Sequence, residues 1–229
     1  MSVNKMSLTH LVREPGGGGR TAPPPLLLLL HGIGSNEEDL FGLAPYLDER
    51  FLVVSARAPV ALEYGGYGWF RIEFTPRGMA ADVEQAKQSL GMLPGFIDGL
   101  VETYGADGRR VYLAGFSQGA MMSLALLLTR PEKVAGVVAM SGRLPRQVLE
   151  QEPDTSALAG KPVLVTHGLY DQMLPVENGR AARDYLGALP VELTYREYPM
   201  GHEVSAESLG DVTAWLTKAL DADRGTRGQ

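Results

Sequence analysis

Apolar residues in this chain fall into short unbroken runs, and the stretches between the runs carry helical spacing. Leu26 to Leu30 is the plainest run, five leucines between a proline-rich stretch and His31-Gly32. A strand that is apolar on both sides is covered on both faces, so this run predicts a buried central strand. Phe51 to Ser55, Val111 to Ala114, Val134 to Met140, Pro162 to Thr166 and Val191 to Tyr198 predict further strands. Met6 to Val12 is a candidate first strand at a sheet edge. Leu40, Leu43 and Leu47 recur at helical spacing after Glu37, and Asp82 to Tyr104 reads as a long amphipathic helix. Ala120 to Leu128, Val176 to Leu189 and Ala206 to Leu220 read as helices too. Pro94 lies inside the longest one and predicts a kink or break, because proline lacks an N–H and crowds the preceding turn. Strands alternating with helices predict an α/β fold, a mostly parallel central sheet with helices on both faces. Active sites of such sheets lie beyond the carboxyl ends of the strands.

Residues 1–25 hold the edge strand and a Gly/Pro-rich loop, and belong to the same domain as 26–220. Residues 221–229 read as a frayed tail. The loop from Pro15 to Pro25 contains four consecutive glycines and three consecutive prolines, which interrupt regular structure. It is not a phosphate-binding loop, since no Gly-Lys-Ser/Thr follows the glycines. A long aromatic and glycine-rich loop spans Arg57 to Met79, and a polar stretch runs up to Gly160. A chain of 229 residues fits one domain, with no length to spare for a large lid domain.

Composition narrows the function classes. The net charge of -6, with no basic cluster to offset it, argues against a nucleic-acid surface. The absence of cysteine excludes disulfides, thiolate metal sites and cysteine nucleophiles. The leucine run is far short of the roughly 20 apolar residues of a membrane span. The N-terminus lacks the layout of a signal peptide, so a cytoplasmic location is the expectation.

Candidate chemistry centres on Gly115-Phe116-Ser117-Gln118-Gly119, between the strand ending at Ala114 and the helix beginning at Ala120. In that context G-x-S-x-G reads as a nucleophile elbow, with the glycines leaving room where strand and helix crowd together. A serine hydroxyl needs a base, and the base needs an orienting group. The chain order of an elbow triad is serine, acid, histidine. His202 follows the last strand on a loop and is the expected base; His167 ends a strand and reads as structural. Asp171, just past the neighbouring strand, is the expected acid. Glu150, Glu152 and Asp154 read as solvated, and Glu177 and Asp184 as helix surface charges. An oxyanion hole needs two convergent donors. The amide of Gln118 supplies one, and the glycine-flanked His31-Gly32-Ile33-Gly34 loop can supply the other from Ile33. His31 reads as a buried structural histidine, and the Gln118 side chain has no assigned role.

Four motifs together, Leu29 to Asn36, Gly115 to Ala120, His167 to Pro175 and Gly201 to Val204, resemble the phospholipase/carboxylesterase family of small α/β-hydrolases, which includes the acyl-protein thioesterases. Gly68-Trp69-Phe70 is similar to the family's cleft-lining segment, although Arg71 stands where members often carry aspartate. The resemblance implies an α/β-hydrolase fold and a serine carboxylesterase acting through an acyl-enzyme. Ser117, Asp171 and His202 would be the triad, Ile33 and Gln118 the oxyanion donors, with no metal or organic cofactor. Substrates would be small acyl esters, lysophospholipids or thioesters. Trp69, Phe70, Met121 and Leu174 are candidate acyl contacts, with ordinary helix packing favoured for at least two of Met121, Met122 and Leu124. Tyr64 and Tyr67 are rim or plain surface residues. An acyl-protein thioesterase, a non-catalytic acyl-ligand-binding protein on the same fold and a serine peptidase are the alternatives, and a homodimer is left open.

Overall fold

The computed structural model describes residues 6–16, 22–75, 78–149 and 153–225. Strands β1 (His10–Arg13) and β2 (Pro25–Leu30) lead into the short helix α1 (Glu37–Phe41) and then β3 (Leu52–Ala56). Two small hairpins follow: β4 (Val60–Ala61) with β5 (Tyr67–Gly68), and β6 (Ile72–Thr75) with β7 (Gly78–Ala81). Beyond them come α2 (Val83–Tyr104), β8 (Asp107–Phe116), α3 (Gln118–Thr129) and β9 (Gly136–Met140). The chain closes with α4 (Thr155–Leu158), β10 (Pro162–Gly168), α5 (Glu177–Gly187), β11 (Glu192–Tyr198) and α6 (Ala206–Gly225).

The main sheet has seven strands in the order β1-β3-β2-β8-β9-β10-β11. Only the edge strand β1 runs antiparallel to its neighbour; the other five pairings are parallel. Side chains of a strand alternate between faces. Leu26, Leu28 and Leu30 therefore join one core with Leu93, Ile97 and Leu124 from α2 and α3, while Leu27 and Leu29 meet Leu40 of α1 and Leu216 of α6 on the other side. All five leucines are at most 2% exposed. Each contributes about 1.5–3 kcal/mol of burial, which fixes β2 at the centre and its carboxyl end next to that of β8.

Several boundaries differ from the sequence pattern for identifiable reasons. Pairing of the first strand begins at His10 rather than Met6, where His10 meets Ala56. β8 starts at Asp107, four residues before the apolar run, because Asp107 still pairs with Pro25 across a register shift. The helix expected over Leu40 to Leu47 stops at Phe41, since Gly42 and Pro45 interrupt it and a 3-10 turn covers Ala44–Tyr46. α2 continues through Pro94 without a break; it is anchored by the buried Leu90, Leu93, Phe96 and Ile97 on either side of the proline. The expectation of a frayed tail from residue 221 is corrected: α6 runs to Gly225, and the Arg50 guanidinium holds Asp221 at 2.6 Å. Residues 226–229 of that tail lie outside the described residues. The Arg57 to Met79 loop folds into the two hairpins, whose two- and four-residue strands are too short to leave an alternation in the sequence.

Candidate active site

Ser117 joins β8 to α3 with φ 53° and ψ −113°, one of two non-glycine residues at positive φ among the described residues. Such a conformation costs on the order of 1–3 kcal/mol and persists only where surroundings over-determine it. Here they do. A Cβ at Gly115 would overlap the Gly119 carbonyl, and one at Gly119 would overlap the Leu30 carbonyl. The Ser117 amide donates to the Met140 carbonyl of β9 at 2.9 Å, and the Ser117 carbonyl accepts from Met121 at 3.2 Å. From Gln118 to Leu128, α3 is buried throughout, so the helix carrying the serine is wedged between core and sheet.

β10 and β11 are neighbours, and the loops beyond their carboxyl ends are laced together. Leu169 donates to the Tyr198 carbonyl at 2.8 Å and Tyr170 to the Met200 carbonyl at 3.0 Å. Gly168 permits this approach, since a Cβ there would overlap the Met200 and Gly201 backbone. The lacing brings His202 to Asp171: Nδ1 lies 2.7 Å from Oδ2 of Asp171, and Nε2 lies 2.9 Å from Oγ of Ser117. A carboxylate can only accept from Nδ1–H, which leaves Nε2 as an acceptor for the serine proton. Oδ1 of Asp171 accepts from the amides of Met173 and Leu174 at 2.9 and 2.8 Å. The Asp171 side chain is fully enclosed, and three donors compensate the loss of water around its charge. The His202 ring also lies 4.8 Å from the Phe116 ring, which limits its swing.

A second imidazole backs this arrangement. His167 is fully buried, donates from Nε2 to the Leu174 carbonyl at 2.7 Å, and approaches Oδ2 of Asp171 to 3.6 Å with the same nitrogen. It thus closes the 171–174 turn from beneath. Its Nδ1 has no partner among the described residues, and a Cβ at Gly179 would stand only 2.7 Å from it.

The loop after β2 is held just as tightly. His31 donates from Nδ1 to the Gly32 carbonyl at 2.7 Å and accepts from the Ala58 amide at Nε2, 3.0 Å away. Burial pushes its pKa below the ordinary imidazole value. Trp69 donates its ring N–H to the His31 carbonyl at 3.0 Å. Gln118 accepts the Trp69 amide at 3.0 Å with Oε1 and donates to the Phe70 carbonyl at 2.9 Å with Nε2. Gly34 donates to the Tyr67 carbonyl and Tyr67 to the Ser35 carbonyl, both at 2.8 Å. Glu37 pairs with Arg57, whose guanidinium stacks 4.6 Å over Tyr67 and holds the Glu37 carboxyl below its usual range. Among the described residues no backbone acceptor takes the Ile33 amide, and Gln118 stands at the first position of α3, where helix amides lack partners within the helix.

Two expectations change. Trp69 does not face an acyl group: it is 0% exposed and clamps the loop after β2 to the hairpin region. The Gln118 side chain has a role, since it bridges Trp69 and Phe70 to the first turn of α3. Phe70 and Met121 share a narrow crevice, while Leu174 packs on the core and supplies its carbonyl to His167. Tyr64 is 75% exposed and Tyr67 half-buried. Among the described residues, no group of three or more His, Asp or Glu is placed to hold a metal ion, and no helix is long and apolar enough to cross a membrane.

Known proteins of the same design carry matching names. The chain is 29% identical over 205 residues to a probable carboxylesterase, SOBER1-like, of Arabidopsis thaliana, covering 84% of this chain and 78% of that protein. It is 30% identical over 206 residues to acyl-protein thioesterase 1 of Kluyveromyces lactis, covering 83% of this chain and 90% of that one. The crystal structure of the Bacillus cereus carboxylesterase superposes with a TM-score of 0.81 at 26% identity, over 94% of this chain and 96% of that chain. The phospholipase/carboxylesterase family model matches residues 18–220. An α/β-hydrolase fold, a serine on a strained turn and this breadth of match give one conclusion: the chain belongs to the phospholipase/carboxylesterase family of ester hydrolases.

Proposed function

We propose that the protein hydrolyses carboxylic esters through an acyl-enzyme on Ser117, with His202 and Asp171 completing the triad. The observation that carries this reading is the unbroken relay from Ser117 Oγ to His202 Nε2 at 2.9 Å and from His202 Nδ1 to Asp171 Oδ2 at 2.7 Å. Nε2 accepts the hydroxyl proton as Oγ attacks the carbonyl carbon. Asp171 stabilises the imidazolium and fixes its tautomer. The amides of Gln118 and Ile33 donate to the oxyanion, the former aided by the positive end of α3. Collapse of the tetrahedral intermediate sends the Nε2 proton to the leaving alkoxide. Water then gives a proton to Nε2 and attacks the acyl carbon, and collapse returns that proton to Oγ as the acid leaves and Ser117 is restored.

Thioesters enter the same scheme with a thiolate leaving group, and the relative named as an acyl-protein thioesterase at 30% identity favours including them. The test is labelling by a fluorophosphonate followed by assay on an activated ester and a matched thioester. Covalent modification of Ser117, with labelling and turnover both lost in Ser117→Ala, is the expected result; a fall of about 10⁴-fold or more in kcat accompanies it. Labelling without turnover on any ester would leave a non-catalytic acyl-binding protein as the better reading. Comparable rates on a matched amide would point to a peptidase.

A further inference from the structure

Arg143 stands apart from the other arginines. Among the described residues, every other arginine whose side chain is described has a carboxylate, a carbonyl or an aromatic ring as partner. Arg143 has none, although it is half-buried. An unpaired guanidinium that gives up part of its hydration is held there against its own solvation preference.

Its position is set by the nucleophile's own support. β9 ends at Met140, whose carbonyl binds the Ser117 amide. Ser141 follows at φ 50° and donates to the Thr166 carbonyl at 2.8 Å. A Cβ at Gly142 would come 2.6 Å from the Ala120 Cβ and 3.4 Å from the Ser117 carbonyl oxygen. The chain therefore passes hard against the elbow and delivers Arg143 to the crevice beside it. That crevice is walled by Phe70, Val83, Met121, Met122 and Pro145 with Gln147 as a neutral polar neighbour, and among the described residues Arg143 is its only charged lining residue. Met121 is one turn beyond Ser117, and the Phe70 carbonyl is tied to the Gln118 side chain. A mostly apolar crevice with one cation, one helical turn along α3 from Ser117, complements a particular substrate shape: a short hydrocarbon arm ending in an anion.

We propose that the preferred substrates are esters that carry a carboxylate at the end of a short hydrocarbon arm, and that Arg143 selects them by pairing its fork of donors with that carboxylate. The arm lies along Phe70 and Met121. This rests on the Ser117 esterase reading and adds the substrate class to it. The carboxylate takes no part in bond making; acyl transfer to Ser117 and its hydrolysis proceed as above. Across a protein of net charge -6, an arginine with no partner among the described residues also offsets the repulsion of an anionic substrate.

Matched esters test it, with the carboxylate placed on either side of the scissile bond. Methyl hydrogen glutarate is compared with methyl pentanoate, and 4-acetoxybutanoate with pentyl acetate. The wild type is expected to favour the charged member of one pair by about tenfold in kcat/KM, chiefly through KM. Which pair shows the preference assigns the crevice to the acyl or the alcohol portion. Arg143→Gln abolishes that ratio, Arg143→Lys keeps part of it, and Arg109→Gln, at the opposite end of the sheet, leaves it intact. A wild type that favours the neutral member of both pairs, or an Arg143→Gln variant that loses charged and neutral substrates equally, overturns the assignment. Fluorophosphonate labelling separates the two readings: labelling at Ser117 with no charge preference removes only the role of Arg143, whereas no labelling removes the esterase reading and this one with it.

Discussion

Beyond the carboxyl ends of β8, β10 and β11, three polar side chains converge in a linked chain of contacts of 2.9 and 2.7 Å. At the amino ends of β8 to β11 there is a cavity of about 560 Å³ lined by Arg109, Lys161, Glu192, Trp215 and Lys218 among others. Volume alone would make the second a candidate site; its chemistry does not. Its Lys161 is spent on the Val134 carbonyl at 2.6 Å and its Arg109 leans on Asp107. Among the described residues no hydroxyl nucleophile there is hydrogen-bonded to a histidine base. At the carboxyl end each polar side-chain atom of the relay has a hydrogen-bond partner. Catalytic capacity follows convergence of donors and acceptors, and empty volume is a poor guide to it.

The largest expected effect that separates the two ends is Asp171→Asn. The carboxylate accepts three hydrogen bonds, from His202 Nδ1 and the amides of Met173 and Leu174. An amide in the same place must turn its NH₂ toward either the imidazole donor or the two backbone donors, so no orientation satisfies all three. A fall in kcat of about 10⁴-fold is expected, with the fold retained by circular dichroism. A variant within tenfold of wild type would remove Asp171 from the relay. Gln118→Leu is expected to be milder. It strands the Trp69 amide and the Phe70 carbonyl, each an uncompensated buried group worth about 1–3 kcal/mol, so the melting temperature and kcat both fall. A fall in one without the other would separate the bridge from the chemistry.

His31 adds a pH effect. Burial lowers its folded pKa below the ordinary 6.5, so the unfolded chain takes up a proton there that the folded chain refuses. Stability from this group is complete above about pH 6.5 and declines as pH falls toward the lowered folded value. Denaturant unfolding between pH 8 and 5 should show a decline that is shallower in His31→Gln; identical slopes would refute the assignment. The smallest effect belongs to the amino end. Lys218→Ala in the large hollow is expected to change kcat/KM on any ester by less than about twofold, and steady-state kinetics on the ester series checks it.

Much of this was legible in the chain. The leucine run, the alternation of strands and helices and the elbow motif locate β2, the sheet and Ser117, because burial on both faces leaves a plain apolar signature. The order serine, acid, histidine singles out Asp171 and His202, which β10 and β11 then bring together as neighbours. What the sequence hides is the support. Gln118 reads as a filler inside G-x-S-x-G, and its bridge depends on where a hairpin 49 residues away folds back. Trp69 looks like a cleft residue because aromatic loop residues often are, yet its ring N–H finds a carbonyl in the interior. His167 looks merely structural, and its place under the Asp171 turn emerges only when Leu174 curls over it. Each of these is a contact between loops, and loops carry no periodicity from which a partner can be read.

The burial of α3 has a consequence for how such a protein can change. Its helix has no spare face: Ala120, Ser123 and Ala125 are all 0% exposed, a Cβ on Gly119 would overlap the Leu30 carbonyl, and bulk added there would push on Ser117. Laboratory evolution toward new esters should therefore find almost nothing tolerated between residues 115 and 128. Adaptive substitutions should collect instead in the hairpins before α2 and the segment after β9, which touch the crevice without bearing the scaffold's weight.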